Sequence, residues 1–352
     1  MKKAIGKLLK IPALAYLLTL FRFAFGSDRK KAVRVIGQYA PGISGDERKK
    51  LIKDMARVRA KYTLTPTEYF LFGLEGKPDE ERALFVSNIQ RRQFTDGLNG
   101  TNSDWKVLKD KYESYLTFKP WYKRDVILVK SGDGPAAFEE FASKHRRFLV
   151  KPLDEAQGKG IIFADLEKDG ISAKEFFDRE LAGKTAAVEE AIAQSPETAA
   201  FHPESVNTVR VVTWFDGKDV KRVFGVFRMG LGNSFVDNAG AGGIICAVDE
   251  NTGIILTPAM KESTKESFDS HPDTGEKITG AQLPVWDELC STLDGAAKVL
   301  PDQKWIGWDL AYSDKGWVIV EANQSPAFTG VQMCTGKGVR DKVEKIIGRK
   351  IS

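Results

Sequence analysis

Cysteine and histidine are scarce in this 352-residue chain, with three of each. Cys246, Cys290 and Cys334 lie far apart and are odd in number, without Cys-x-x-Cys or Cys-His spacing. That pattern excludes a zinc centre of the usual kind and a disulfide framework, and it indicates a reducing compartment. Three histidines do not assemble into a Ser-His-Asp or Cys-His triad. Apolar length is lacking too: the run from Ile11 to Phe25 is broken by Pro12 and interrupted by Arg22, so it is too short to span a bilayer. The net charge of +5 and a pI near 8.8 are a mild basic excess that suits an anionic ligand or a membrane surface. The Lys and Arg clusters of a nucleic-acid groove are missing, so no nucleic-acid partner is expected. Neither a GxxxxGK[ST] phosphate loop nor a GxGxxG fingerprint occurs, and no internal repeat or low-complexity linker is visible.

What is present is globular: 42% hydrophobic and 29% charged residues, with 32 Gly and 14 Pro. The length predicts one large domain or two to three lobes with a shared interface. Residues 1–27 read as a basic amphipathic helix. Lys2, Lys3, Lys7 and Lys10 precede Leu, Phe and Tyr, which suits either the interface of an anionic membrane or packing on the protein's own core. A secretory signal with cleavage after Gly26 is the third reading.

From 28 to 118 the text is helical, with "DERKKLIKDMARVRAKY" and "PDEERALFVSNIQRRQF" placing apolar residues three and four apart, acids early and bases late. "RDVILVKSGD", "GPAAFEEFASKH" and "RRFLVKPLD" predict a strand, a helix and a strand. A helix at "SAKEFFDREL" follows, and "KTAAVEEAIAQSPE" reads as a strand passing into a helix. "NTVRVVTWFDGKDVKRVFGVFRMGLG" is a hairpin through Asp216-Gly217, and "GGIICAVDENTGIIL" is strand-like. The organisation expected is therefore 28–118 helical, 119–195 a small lobe and 196–352 a strand-rich lobe.

Chemistry concentrates in "WIGWDLAYSDKGWVIVEANQSP", residues 305–326, two apolar strands around a polar turn. Glu321 and Asn323 lie two apart and share a face, and the turn can fold Asp309 toward them. Carboxylates close together in apolar surroundings repel one another and resist desolvation unless a cation neutralises them. These oxygens predict a Mg²⁺ site completed by phosphate and water; the competing reading is a strand edge with solvated acids. In "FLVKPLDEAQGKGI", Lys151 ends a strand before a loop containing Gly158, Lys159 and Gly160. Glycines admit backbone amides to phosphate oxygens and the lysine adds fixed charge, which together make a phosphate clamp.

The order of strand-Lys-Pro with its glycine loop, then "VEEAI", "NTVRVV", Asp309 and Glu321-Ala322-Asn323 resembles the ATP-grasp superfamily. "YKRDVILV", "HPESVNTVRVVTW", "FVDNAGAGGI", "HPDTGEKITG", "IGWDLAYSDKGWVIVEAN" and "TPTEYFLFGL" are similar to its sugar-transfer associated branch, met in bacterial cell-surface polysaccharide gene sets, over about residues 60 to 335. The sequence departs from that branch in reading "EANQSP" where Glu-Gly-Asn and a small residue are expected.

The resemblance implies an α+β ATP-grasp fold, two α+β lobes clasping a nucleotide after a helical amino-terminal region. It implies that Lys151 touches the nucleotide phosphates, that Gly158, Lys159 and Gly160 cover them, and that Glu189, Glu190 and Gln194 lie where adenine and ribose are received. Lys111 in "KDKYESY" matches a lysine preceding the small lobe. Arg210 faces opposite to Val209 and Val211; it needs an anion, either a structural carboxylate or, in this fold, the γ-phosphate and then the oxyanion formed during transfer. Asn207 is expected beside metal or phosphate. Arg228, Asp237, Asn238, Gly242 and Gly243 would shape the acceptor side, with His271 a substrate contact. The activity implied is ATP- and Mg²⁺-dependent ligation of a carboxylate to an amine, joining an amino acid to a sugar acid or amino sugar. The alternatives are a kinase acting on a hydroxyl and a non-catalytic membrane-surface component of polysaccharide assembly. ATP places such an enzyme in the cytoplasm, or on the cytoplasmic face of the membrane.

Overall fold

A computed structural model describes residues 12–100, 103–153, 160–234, 237, 240 and 242–351. Residues 1–11, Gly158, Lys159 and Asn238, on which parts of the reading above fall, lie outside the described residues.

Helices come first, as the periodicity predicts. Pro12–Phe25, Ser27–Tyr39 and Gly45–Tyr62 pack on one another. Ser44 starts the third of these with a capping box: its side chain accepts from the Glu47 amide while Glu47 accepts from the Ser44 amide. Leu51, Met55 and Val58 form its inner face. Phe23 is buried in that cluster, so the first helix packs on the protein's own core, yet Leu17 and Phe21 are 60% and 62% exposed on its outer face. No described helix is long and apolar enough to cross a membrane.

The "PDEERALFVSNIQRRQF" stretch differs from expectation. It forms two helices, Asp79–Leu84 and Asn88–Asn99, because Phe85 turns extended and Ser87 starts a new capping box with Gln90. Lys111–Tyr122 then leads into the sheets.

The first sheet has four antiparallel strands, β1 (Val126–Val129), β2 (Arg147–Pro152), β3 (Ile162–Asp165) and β4 (Ala186–Glu190), in the order β1-β4-β2-β3. The Ala136–Lys144 helix covers it through Phe138, which meets Phe148 edge to face. After Glu190 the expected helix does not form. The chain runs on as irregular backbone, bridges Gln194 to Ser313, and makes only a short turn of helix at Pro196–Ala199. Pro196 sits at the first helical position, where its lack of an N–H is harmless.

The second sheet has seven antiparallel strands: β5 (Thr208–Phe215), β6 (Val220–Met229), β7 (Ile244–Val248), β8 (Ala259–Lys261), β9 (Ser267–Phe268), β10 (Trp305–Ser313) and β11 (Gly316–Asn323). Their order is β11-β10-β5-β6-β7-β8-β9, so the two hairpins read from sequence sit side by side. Strand alternation gives the sheet two distinct faces. Val209, Val211, Ile306, Trp308 and Leu310 pack into one core. Val212, Trp214 and Trp305 pack on the other side with Phe94 of the Asn88–Asn99 helix and with Phe328.

Candidate active site

Register sets the polar cluster. Asp309 of β10 pairs with Arg210 of β5 on one side and with Glu321 of β11 on the other, while Gly307 pairs with Val212 and Asn323. Cross-strand partners share a face, so Arg210, Asp309, Glu321 and Asn323 stand together on the face that carries Trp305 and Val212. The convergence expected from sequence is therefore present, helped by a register shift just after Asp309.

Asp309 is 2% exposed. Arg210 grips it in bidentate fashion, Nε to Oδ1 at 2.6 Å and Nη2 to Oδ2 at 2.6 Å, and Arg228 adds Nη2 to Oδ2 at 2.9 Å. Burial opposes ionisation, yet the two guanidinium groups hold the Asp309 carboxyl below the usual range. Of the two anions weighed for Arg210, the one in contact here is the structural carboxylate. Arg228 also donates to Thr208 Oγ1 and lies 3.4 Å from Asp237, which itself accepts from Thr208. Burial, opposed by Arg228, raises the Asp237 carboxyl.

Glu321 differs from Asp309. Its side chain reaches solvent, and no described residue donates to it through a hydrogen bond. Enclosure and the adjacent Asp309 push its carboxyl up, while Lys151, Arg210 and Arg228 pull it down. Asn323 Nδ2 is buried without a hydrogen-bond partner. An all-oxygen set of two carboxylates and an amide, one carboxylate destabilised by the other, fits a hard divalent cation.

Across the cleft, Lys151 on β2 donates to Glu189 on β4 at 2.8 Å. Arg124, just before β1, donates to the same Glu189 oxygen at 2.9 and 3.2 Å. It also reaches the carbonyls of Ile319 at 2.6 Å and Val320 at 3.4 Å, and stacks on Tyr122. Burial works against a charged Glu189, but Lys151 and Arg124 bring its carboxyl down to about 2. Arg124 thereby ties the small sheet to β11, two residues from Glu321. Sequence reasoning singled out neither Arg124 nor its clasp, although an arginine directly before a buried strand, inside "YKRDVILV", is an available signal.

Other expected residues are placed differently. Lys111 Nζ donates to the Pro152 and Leu153 carbonyls, fixing the strand end beside Lys151. Gly160, at a positive φ of 69°, begins the described chain after the loop and lies under Pro152. Alternation along β4 sends Glu190 away from Glu189, to Lys315 at 2.7 Å and the Asp125 amide at 3.0 Å. A small hollow there is lined by Tyr122, Glu190, Ala191, Ile192 and Lys315.

Gln194 spends both Nε2 protons on the His202 and Ser205 carbonyls and accepts from the Asn207 amide. Asn207 is buried and donates to the Thr198 and His202 carbonyls, while its Oδ1 accepts from Ser205 and Gly230. Neither has a donor left for phosphate. His271 is buried, its Nε2 3.0 Å from the Gly230 carbonyl and its Nδ1 accepting from the Asp273 amide at 3.3 Å, and burial lowers its pKa, so it braces the loop after β6 and presents no open ring nitrogen. Gly243 lies close against the carbonyls of Met229 and Asp237 and tolerates no side chain; Gly242, at φ 106°, allows the turn.

Residues 124–348 match the model of a family described as sugar-transfer associated ATP-grasp. A probable alpha-L-glutamate ligase of Syntrophotalea carbinolica is 30% identical over 118 residues, which are 33% of this chain and 37% of that protein. Among solved structures, D-alanyl-alanine synthetase A of Vibrio cholerae is 12% identical with a TM-score of 0.41, over 70% of this chain and 62% of that one. VanG D-Ala:D-Ser ligase of Enterococcus faecalis is 14% identical with a TM-score of 0.43, also over 70% and 62%. The chain thus spans under two thirds of each of these proteins.

Proposed function

Because the chain belongs to the sugar-transfer associated ATP-grasp family, whose fold explains the two sheets facing one cleft, we propose that it is an ATP-dependent carboxylate-amine ligase that works through an acyl phosphate. The observation that carries the reading is a convergence: strand register sets Arg210, Asp309, Glu321 and Asn323 on one sheet face, and Arg124 joins Glu189, the partner of Lys151, to the Ile319 carbonyl two residues from Glu321. On this reading the cations of the cleft serve the phosphates and its oxygens serve the metal.

Lys151 and Arg210 are the side chains that meet the nucleotide phosphates. Both now rest on carboxylates, Glu189 and Asp309, and each of those carboxylates keeps another cation, Arg124 or Arg228, when its partner turns to phosphate. Asp309, Glu321 and Asn323 would hold Mg²⁺, which when bound supplies charge neutralisation for the phosphates. A substrate carboxylate attacks the γ-phosphorus in line and ADP leaves; an amine then adds to the acyl carbon, and phosphate leaves. Arg210 would stabilise the oxyanion of that second step. The name of the Syntrophotalea relative favours an amino acid as one partner, and the branch suggests a sugar acid or amino sugar of a cell-surface polysaccharide as the other.

The test is ADP and phosphate release by the purified chain with Mg²⁺, ATP and pooled sugar acids, amino sugars and amino acids, followed by mass spectrometry. A product lighter by one water than its parents is expected, and Glu321→Gln should abolish it without unfolding the protein. A phosphorylated acceptor without an amide would make the enzyme a kinase, and full activity of Glu321→Gln would remove the metal assignment.

A further inference from the structure

Among the described residues three arginines are buried: Arg82, Arg91 and Arg124, at 4%, 6% and 7% exposure. Arg82 is paired with Asp54 and Arg124 with Glu189. Among the described residues Arg91 has no carboxylate within ion-pair distance. Its contacts are Nε to Asn88 Oδ1 at 3.3 Å, Nη1 to the Ser325 carbonyl at 2.8 Å, and Nη1 to Ser325 Oγ. Burial, with the neighbouring Arg92 adding to it and the more distant Asp96 and Glu68 carboxylates opposing it, brings its pKa down to about 10. A desolvated charge of this kind is costly unless something anionic meets it.

Its position shows where that anion would come from. The Asn88–Asn99 helix lies on the same face of the large sheet as Asp309 and Glu321, as shown by Phe94 against Trp305. After Asn323 the chain folds back over that face: a Cβ on Gly307 would stand 2.5 Å from Pro326 Cβ, so Pro326 sits directly above Gly307. Gly307 is the β10 residue opposite Asn323. Ser325, and Arg91 bound to it, are therefore beside the metal-ligand pair and not behind the sheet. The same turn carries two further buried polar atoms without partners, Asn323 Nδ2 and Gln324 Oε1. Such atoms are rare in a folded core and are costly when left without a partner.

We propose that Arg91 and the Asn323 amide form a recognition corner for a substrate carboxylate that is not consumed in the reaction. With Gln324 Oε1 as the nearby acceptor, the ligand class is an amino acid that binds through its free α-carboxylate. This rests on the ligase reading and deepens it, because it makes the amine partner an amino acid and not a neutral amine. It also gives the helical region before residue 124 a part in choosing the substrate, outside the segment that matches the family.

The full-length protein with Mg²⁺ and a non-hydrolysable ATP analogue is titrated with individual amino acids and with their carboxamides, binding being read by ligand-observed NMR. At least one amino acid should bind, with its carboxamide weaker by on the order of tenfold or more. Arg91→Met should erase that difference in a protein whose circular-dichroism spectrum is unchanged, and Arg91→Lys, which keeps the charge and guards against loss of folding, should retain part of it. Equal binding of acid and carboxamide to the native protein, an undiminished preference in Arg91→Met, or no binding of any amino acid would each overturn the proposal. Binding that passes these tests without ligation in the product assay would leave the corner standing and refute the ligase reading alone.

Discussion

Replacing Glu189 by Gln tests the ion cluster that holds Lys151 and Arg124 on the small sheet. The carboxylate is buried at 3% exposure and accepts from Lys151 at 2.8 Å and from Arg124 at 2.9 and 3.2 Å. An amide in its place leaves two cations facing a neutral group, and breaking a buried ion pair from one side costs roughly 3–5 kcal/mol. The proton balance gives a similar size. A carboxyl held at about 2 in the folded protein, against an ordinary value of 4.5, contributes roughly 3 kcal/mol at neutral pH.

Since the folded-state value is depressed, this contribution is complete above about pH 4.5 and fades as the pH falls toward about 2. Urea unfolding of native protein and Glu189→Gln, followed by tryptophan fluorescence, should show a gap of about 3 kcal/mol at pH 7 that narrows through the acid range. A gap below about 1 kcal/mol at pH 7, or one that does not change with pH, would refute the claim that Glu189 anchors these cations.

Two other outcomes follow from the cleft. Binding of Mg²⁺ and ATP should release protons in mildly acidic buffer, because the Glu321 carboxyl, raised by enclosure and by Asp309, becomes ionised when a cation joins the pair. Calorimetric enthalpies that do not depend on the ionisation heat of the buffer would count against it. Gly307→Ala should push Pro326 from the sheet face and weaken Mg²⁺-dependent nucleotide binding by about tenfold or more, although the substitution adds only one methyl group. Unchanged affinity measured by fluorescence titration would show that the turn after Asn323 does not position the ligands.

The parts of this site legible in the sequence are those written in short periods. Glu321 and Asn323 two apart, Arg210 alternating with valines, and a tight turn between two apolar strands suffice to bring the cluster to one face, and the register agrees. Lys151 at a strand end was readable for the same reason. Partners separated by long stretches of chain were not. That Asp309 is already held by Arg210 and Arg228, and Glu189 by Arg124, depends on strand order and on what precedes β1. Gln194, Asn207 and His271 have the right types and stand near the right segments. Their hydrogen-bonding capacity goes to the loops around 198–205 and 230, which no local pattern announces. Arg91 is hidden in a helix rich in polar residues, where a lone arginine ordinarily faces water.

Asn99 completes the picture of the helical region. β11 leaves the sheet at Asn323, so the first residues of β10 lose their neighbour on that side, and Asn99 takes its place: Nδ2 donates to the Trp305 carbonyl at 2.7 Å and Oδ1 accepts from the Trp305 amide at 2.8 Å. One side chain imitates a strand partner. Without it the large sheet would present a short open edge beside the cleft, ready to pair with the same edge of another molecule. The Asn88–Asn99 helix therefore caps with a side chain the stretch of edge that β11 leaves open.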